Sequence, residues 1–199
     1  MEKYLSTRNI ARIAVLGAVG AFLMIIDFPI AFIAPSFYKL DLSDLPCLIG
    51  SFAMGPIPCV FIEIIKILIK LLIKPTSTAF VGEITAFLGS IALCVPAGLF
   101  YKANRTKKGA IKALFLSSII YVLVAIIINY SFSIPFYGDL YHIGEDAIIA
   151  MGSDIFPIIK DKLGFVLVCV GPFNLIKVAI IDVLTIILYK RISPLLRDF

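Results

Sequence analysis

Glu63, Lys66 and Lys70 recur at spacings of three and four within an apolar run, which places them on one stripe of a helix. Glu83, Asn129, Asn174, Lys177 and Asp182 follow, each set among apolar neighbours. Carboxylates, amides and ammonium groups in such company can do acid–base chemistry, bind a polar ligand, or hydrogen-bond one helix to another. The sequence gives catalysis little support. No nucleophile–base pair is evident. His142 is the only histidine, and Cys47, Cys59, Cys94 and Cys169 lie far apart in apolar sequence, so they read as packing residues rather than metal ligands. No Gly-x-x-x-x-Gly-Lys-Ser/Thr loop is present to hold a nucleotide. No catalytic residue, metal or cofactor is therefore expected. Two alternatives to a binding protein stay open: an intramembrane enzyme using Glu83 or Asp182 with Lys177, and an assembly protein whose polar residues only join helices.

The stretch Tyr38-Lys39-Leu40-Asp41-Leu42-Ser43-Asp44-Leu45-Pro46 is polar between two apolar segments. Such a loop is either a connection or a lid over what the segments enclose. The polar residues embedded in the later segments favour the lid, with Leu40 to Asp44 as its moving part.

Composition says what must position these side chains. The sequence is 61% hydrophobic and 16% charged, with mean hydropathy +1.06, where soluble domains carry about a quarter charged residues. The expected class is an all-α integral membrane protein. A single transmembrane substrate-binding domain, 1–199, would fold as a bundle of six transmembrane helices with an outer lid loop. The net charge of +5 then reports orientation in the lipid bilayer and implies no nucleic-acid partner.

Spans are expected at about 9–27, 44–54, 59–73, 79–101, 113–130 and 165–189. The first has a basic start like a signal peptide but lacks the small-residue cleavage pattern, so it reads as a retained span. It carries Ala14-x-x-x-Ala18 and, overlapping it, Gly17-x-x-x-Ala21. Small residues four apart leave a shallow groove for another helix. Gly55-Pro56-Ile57-Pro58 marks a tight turn. Glu63 and Lys66 lie deep enough in the third span to pair with each other, while Lys74 reaches the interface. Thr78 ends a loop as a helix cap. Residues 131–164 read as a long hydrophilic connection containing a short surface helix at 143–151.

The basic residues set the orientation. Lys3, Arg8 and Arg12, then Lys102, Arg105, Lys107, Lys108 and Lys112, then Lys190, Arg191 and Arg197 share one side of a six-span protein. The positive-inside rule makes that side cytoplasmic, with both termini on it. Asn129 and Glu83 then lie at outer ends of their spans. Asn174 and Lys177 lie roughly 13 and 18 Å below the outer start of theirs. This clustering predicts a pocket open to the outside, in which Glu83 is the expected counter-ion of Lys177.

Several motifs, in order, add a family likeness. Leu40-Asp41-Leu42-Ser43-Asp44-Leu45-Pro46, Gly50-Ser51-Phe52-Ala53-Met54-Gly55-Pro56, Thr76-Ser77-Thr78 with Gly82-Glu83, Asn129-Tyr130, and Gly171-Pro172-Phe173-Asn174-Leu175-Ile176-Lys177 resemble the riboflavin-specific S components of energy-coupling factor (ECF) transporters, membrane subunits that capture a vitamin for import. The resemblance covers nearly the whole sequence, and its last motif is the most specific. It implies a cell-membrane protein that binds riboflavin from outside as transported ligand rather than cofactor. Riboflavin phosphate is a second candidate ligand, and another flavin or vitamin is the alternative. It also implies a separate transmembrane coupling protein and two ATPase subunits as partners. Asn129, Asn174, Lys177, Glu83, Leu40, Asp41 and Thr78 are the substrate-binding residues so implied. Ala14 and Ala18, with Gly17 and Ala21 beside them, are the implied contacts to the coupling protein. Thr85-Ala86 stands where the family pattern has an asparagine soon after Gly-Glu.

Overall fold

The structure is a computed structural model that describes residues 6–196, with side chains described through residue 188. Its helices are α1 (Thr7–Ile25), α2 (Asp44–Met54), α3 (Pro56–Ile73), α4 (Val81–Ala103), α5 (Lys107–Leu140), α6 (Gly144–Ser153) and α7 (162–196). Among the described residues these are seven helices: six where spans were expected, and α6 where the short surface helix at 143–151 was expected. Four of them, α1, α4, α5 and α7, are long and apolar enough to cross a membrane. The shortfall has two causes: α2 has 11 residues, and α3 carries Glu63, Lys66 and Lys70 along its length.

Local chemistry sets the helix ends. The Ser6 hydroxyl accepts from the Asn9 N–H at the start of α1, and Thr106 does the same for Gly109 at the start of α5. Gly55, at φ 98°, makes the corner between α2 and α3, a conformation that disfavours a side chain. At the start of α4, Ala79 and Phe80 hold positive φ values of 46° and 69°. Thr76 Oγ1 accepts from Phe80 N–H and Thr78 Oγ1 from Gly82 N–H, both at 3.0 Å, and these bonds hold the unusual backbone in place.

The expected end of the fifth span at residue 130 and the hydrophilic connection from 131 are corrected. The helix continues to Leu140 through a π-helical turn at Asn129–Ser133. Pro135 lies two residues after that turn, and Pro172 two residues after a second one at Val166–Val170 in α7. A proline inside a helix removes one N–H and crowds the carbonyl four residues back. One wider turn relieves both, so the helix passes through the proline instead of ending.

The bundle is polar within and apolar without. Asp44, Glu63, Lys66, Glu83, Asn129, Asn174 and Lys177 are all buried, while Phe22, Leu68, Leu72, Phe115, Ile127 and Ile187 are exposed. A soluble monomer does not show so continuous an apolar exterior, whereas a bilayer accepts it. One apolar core joins α1–α5 and α7 around Leu48, Ile62, Leu93, Leu114 and Ile181. A second, around Leu40, Ile134, Phe165 and Val170, seats the segment between α1 and α2. There Phe28–Pro29 and Lys39–Leu40 form a two-residue antiparallel ladder.

Candidate functional site

A cavity of about 340 Å³ opens at one end of the bundle, within the range of small-molecule sites. Its wall comes from the C-terminal ends of α1 and α3, the start of α4, the second half of α5, the first half of α7 and the segment at 37–41. Of the residues expected to bind substrate, Asn129, Asn174, Lys177, Glu83, Asp41 and Thr78 line it. Leu40 does not: it is 1% exposed and packs in the second apolar core. Alternation explains the split, because successive residues of an extended segment face opposite ways, so Asp41 faces the cavity and Leu40 the core.

The two asparagines are held in the same manner. Asn129 Nδ2 donates to the Ala125 carbonyl at 2.8 Å, and its Oδ1 accepts from the Tyr38 hydroxyl at 2.7 Å. Asn174 Nδ2 donates to the Val170 carbonyl at 2.9 Å, and its Oδ1 accepts from the Tyr121 hydroxyl at 3.0 Å. Each amide keeps one donor and one lone pair for something in the cavity. Burial pushes the Tyr38 phenol well above its ordinary pKa, so the hydroxyl stays a donor. Tyr38, Tyr121, Tyr137 and Phe173 supply a broad aromatic lining, which reasoning on polar residues alone passed over.

The expected Lys177–Glu83 pair is not formed. Lys177 Nζ lies 3.0 Å from Asp41 Oδ2 and 3.4 Å from Asp44 Oδ2. Glu83 pairs with Lys70 at 2.5 Å and accepts from the Thr76 and Thr78 hydroxyls at 3.0 and 3.3 Å. The site thus has two ion pairs, Lys177–Asp41 and Lys70–Glu83. Asp182 has another role, with its Oδ2 accepting from Ser118 at 2.7 Å. Thr85 lines the cavity, with its Oγ1 3.0 Å from the Ser133 hydroxyl.

Beneath the cavity the charges continue. The expected Glu63–Lys66 pair is present at 2.7 Å. Lys66 Nζ also lies 3.0 Å from Asp44 Oδ1 and donates to Ser43 Oγ at 3.1 Å. Glu63, Lys66, Asp44, Lys177 and Asp41 therefore alternate in sign from the core to the segment over the cavity. The Ser90 hydroxyl sits 2.8 Å from both Asp44 Oδ1 and Glu63 Oε2; its single proton serves one of them at a time. The Cys47 thiol adds a donor to Glu63 at 3.0 Å. At the mouth, Lys39 and Lys74 flank Asp27 at 3.4 and 3.3 Å.

On α1 the small residues separate into two groups. Ala14 and Ala18 are exposed on the outer face. Gly17 and Ala21 are buried, and a Cβ on Gly17 would stand 2.6 Å from Ile65 Cγ2 of α3. Gly17 thus serves packing within the molecule, and only the Ala14–Ala18 groove is open to another.

The chain as a whole matches known proteins. Residues 8–189 match the model of the family described as ECF transporter, substrate-specific component. The riboflavin transporter RibU of Staphylococcus aureus (strain TCH60) is 29% identical over 191 residues, covering 96% of this chain and 93% of that protein. The riboflavin transporter FmnP of Bacillus subtilis (strain 168) is 23% identical over 193 residues, covering 96% and 94%. A solved structure described as the S component of a bacterial ECF transporter superposes with a TM-score of 0.71 at 28% identity, over 94% of this chain and 96% of that one. The match runs through every element that lines the cavity, and the protein belongs to the substrate-specific component family of ECF transporters.

Proposed function

We propose that this protein is the riboflavin-binding membrane subunit of an ECF importer, with the cavity as its riboflavin site. One observation carries the reading. Asn129 of α5, Asn174 and Lys177 of α7, Asp41 before α2, and Thr78 and Glu83 at the start of α4 face one cavity that Phe37, Tyr38, Tyr121, Tyr137, Tyr141 and Phe173 also line. The flavin ring has a polar edge of carbonyls and ring nitrogens beside a wide apolar face. The spare amide groups of Asn129 and Asn174 suit that edge, and the aromatic wall suits the face. Lys177 can only donate, which fits a carbonyl or acceptor nitrogen. Riboflavin is uncharged, so Asp41 and Asp44 meet the ammonium's need for an anion. Thr78 and the Lys70–Glu83 pair are left for the hydroxylated side chain of the ligand. The segment from Leu40 to Asp44 acts as the lid through Asp41, and the chemistry is transport, not catalysis.

Loss of one buried hydrogen bond costs about 1–3 kcal/mol, or roughly 5- to 150-fold in affinity. Asn129→Ala, Asn174→Ala and Lys177→Met are each expected to weaken riboflavin binding within that range, measured by quenching of flavin fluorescence. Hydrogen exchange at 40–44 should slow on saturation with riboflavin. Wild-type affinity in all three variants would place the ligand elsewhere and sink this site.

In the full reading, six segments cross the bilayer: α1, α2, α3, α4, α5 and α7, with α2 too short to cross without the flanking turn. Alternation is supported by the cavity wall, which takes late residues of α1, α3 and α5 but early residues of α4 and α7. The basic ends then face the cytoplasm, where the coupling protein and two ATPase subunits would dock, with Ala14 and Ala18 as the contact. Cysteines introduced at Lys107 and Asp146 test the topology in intact cells. An impermeant thiol reagent should label position 146 and spare 107; labelling at 107 would refute it.

A further inference from the structure

A second cavity, of about 320 Å³, lies at the other end of the bundle and shares no lining residue with the first. The start of α1, the α2–α3 corner and the end of α4 build it. Its lining includes the polar Ser6 and Asn9, and Phe52 stacked on Tyr101 with centroids 4.5 Å apart; the exposed Lys102 and Arg105 form its rim. Both rim cations are exposed, and neither has an ion-pair partner among the described residues. The segments 6–12, 51–57 and 98–112 that form this end contain no Asp or Glu. Two helices start here and two end here, so their dipoles cancel to first order. What remains is the side-chain charge of these described segments, and it is positive.

Simple dipole complementation would account for Lys102 alone, in the last turn of α4. It does not account for a cavity of this size beneath two cations, nor for what adjoins it. Leu99 and Phe100, just before Lys102 on α4, are 52% and 40% exposed and belong to the apolar exterior. A free anion or an acidic peptide needs only the cations. A lipid needs cations for its phosphate, an aromatic and polar recess for its glycerol region, and an adjoining apolar face for its chains. Basic pockets between helices at the cytoplasmic face are suited to anionic headgroups.

We propose that this cavity is a binding site for the headgroup of an anionic phospholipid of the inner leaflet, with its phosphate on Lys102 and Arg105. The proposal rests on the cytoplasmic placement of this end and is independent of which vitamin the first cavity takes. Each basic residue near such a surface contributes about fivefold in affinity, hence roughly 30-fold for both.

The test is native mass spectrometry of the full-length protein from nanodiscs of equal phosphatidylglycerol and phosphatidylcholine. Wild type should retain phosphatidylglycerol in preference. Lys102→Gln with Arg105→Gln should lower that retention by about 30-fold, whereas Lys107→Gln with Lys108→Gln, outside the cavity, should leave it unchanged. Riboflavin quenching should be unaltered in both variants, which separates this outcome from failure of the vitamin site. No lipid preference in wild type, or an equal loss in the control variant, would reduce the feature to diffuse surface charge and overturn the proposal. Displacement of the lipid by soluble glycerol phosphate would make it a free-anion site. Unchanged retention in the Lys102/Arg105 variant, with assembly onto the coupling module lost, would make it a protein-docking pair. Either would also overturn it.

Discussion

Lys66→Met should destabilise the protein by about 3–5 kcal/mol, the usual cost of breaking a buried ion pair from one side. Lys66 is 0% exposed; its ammonium pairs with Glu63 Oε1 at 2.7 Å and donates to Asp44 Oδ1 and Ser43 Oγ. Methionine fills similar space but leaves two carboxylates facing each other. Asp44 keeps Lys177 and Ser90 as partners, so the orphan charge falls on Glu63. The double variant Lys66→Met/Glu63→Gln should therefore recover part of the loss, because it removes the unpaired anion rather than restoring the pair. Unfolding in mixed detergent micelles measures both. A Lys66→Met protein within about 0.5 kcal/mol of wild type, the range of neutral surface changes, would show that the charges are not organised as described. The same ladder ends at Asp41 over the cavity, so Lys66 acts on the site only by positioning.

Much of this was readable in the sequence, for identifiable reasons. Residues 44–54 were expected as a span and form α2 over the same bounds, because Gly55-Pro56 leaves a helix no way to continue. The convergence of Asn129, Asn174, Lys177 and Glu83 was also readable, since polar groups among apolar neighbours must face inward and their depths agreed. Partner choice was not readable. Lys177 and Asp41 are 136 residues apart, and depth alone gave Glu83 an equal claim. What decides is lateral placement: Lys70, on the stripe already noted in α3, stands nearer Glu83 and takes it. Leu40 packs in the core while Asp41 lines the cavity, a separation that the alternation of an extended segment makes readable. The continuation of α5 beyond residue 130 was not readable, because nothing local in Asn129-Tyr130-Ser131-Phe132-Ser133 announces the wider turn that carries the helix past Pro135 to Leu140.

The α1 groove carries the other large expected effect. Replacing Ala14 or Ala18 with tryptophan should abolish uptake of labelled riboflavin in cells that supply the coupling module, while purified protein binds riboflavin as wild type does. Both alanines are exposed on the outer face of α1, and neither lines the ligand cavity. A bulky side chain there therefore disturbs nothing inside the molecule, but it prevents the close helix approach that small residues permit. Gly17 supplies the contrast that sequence spacing could not. Because its Cβ would meet Ile65, Gly17→Val should overpack α1 against α3 and cost about 1–3 kcal/mol of stability. Stability should thus fall in the Gly17 variant and hold in the alanine variants, although all three positions lie within two turns of one helix. Loss of binding together with uptake in the Ala14 or Ala18 variants would assign α1 to the pocket. Undiminished uptake would move the coupling surface to another face of the bundle.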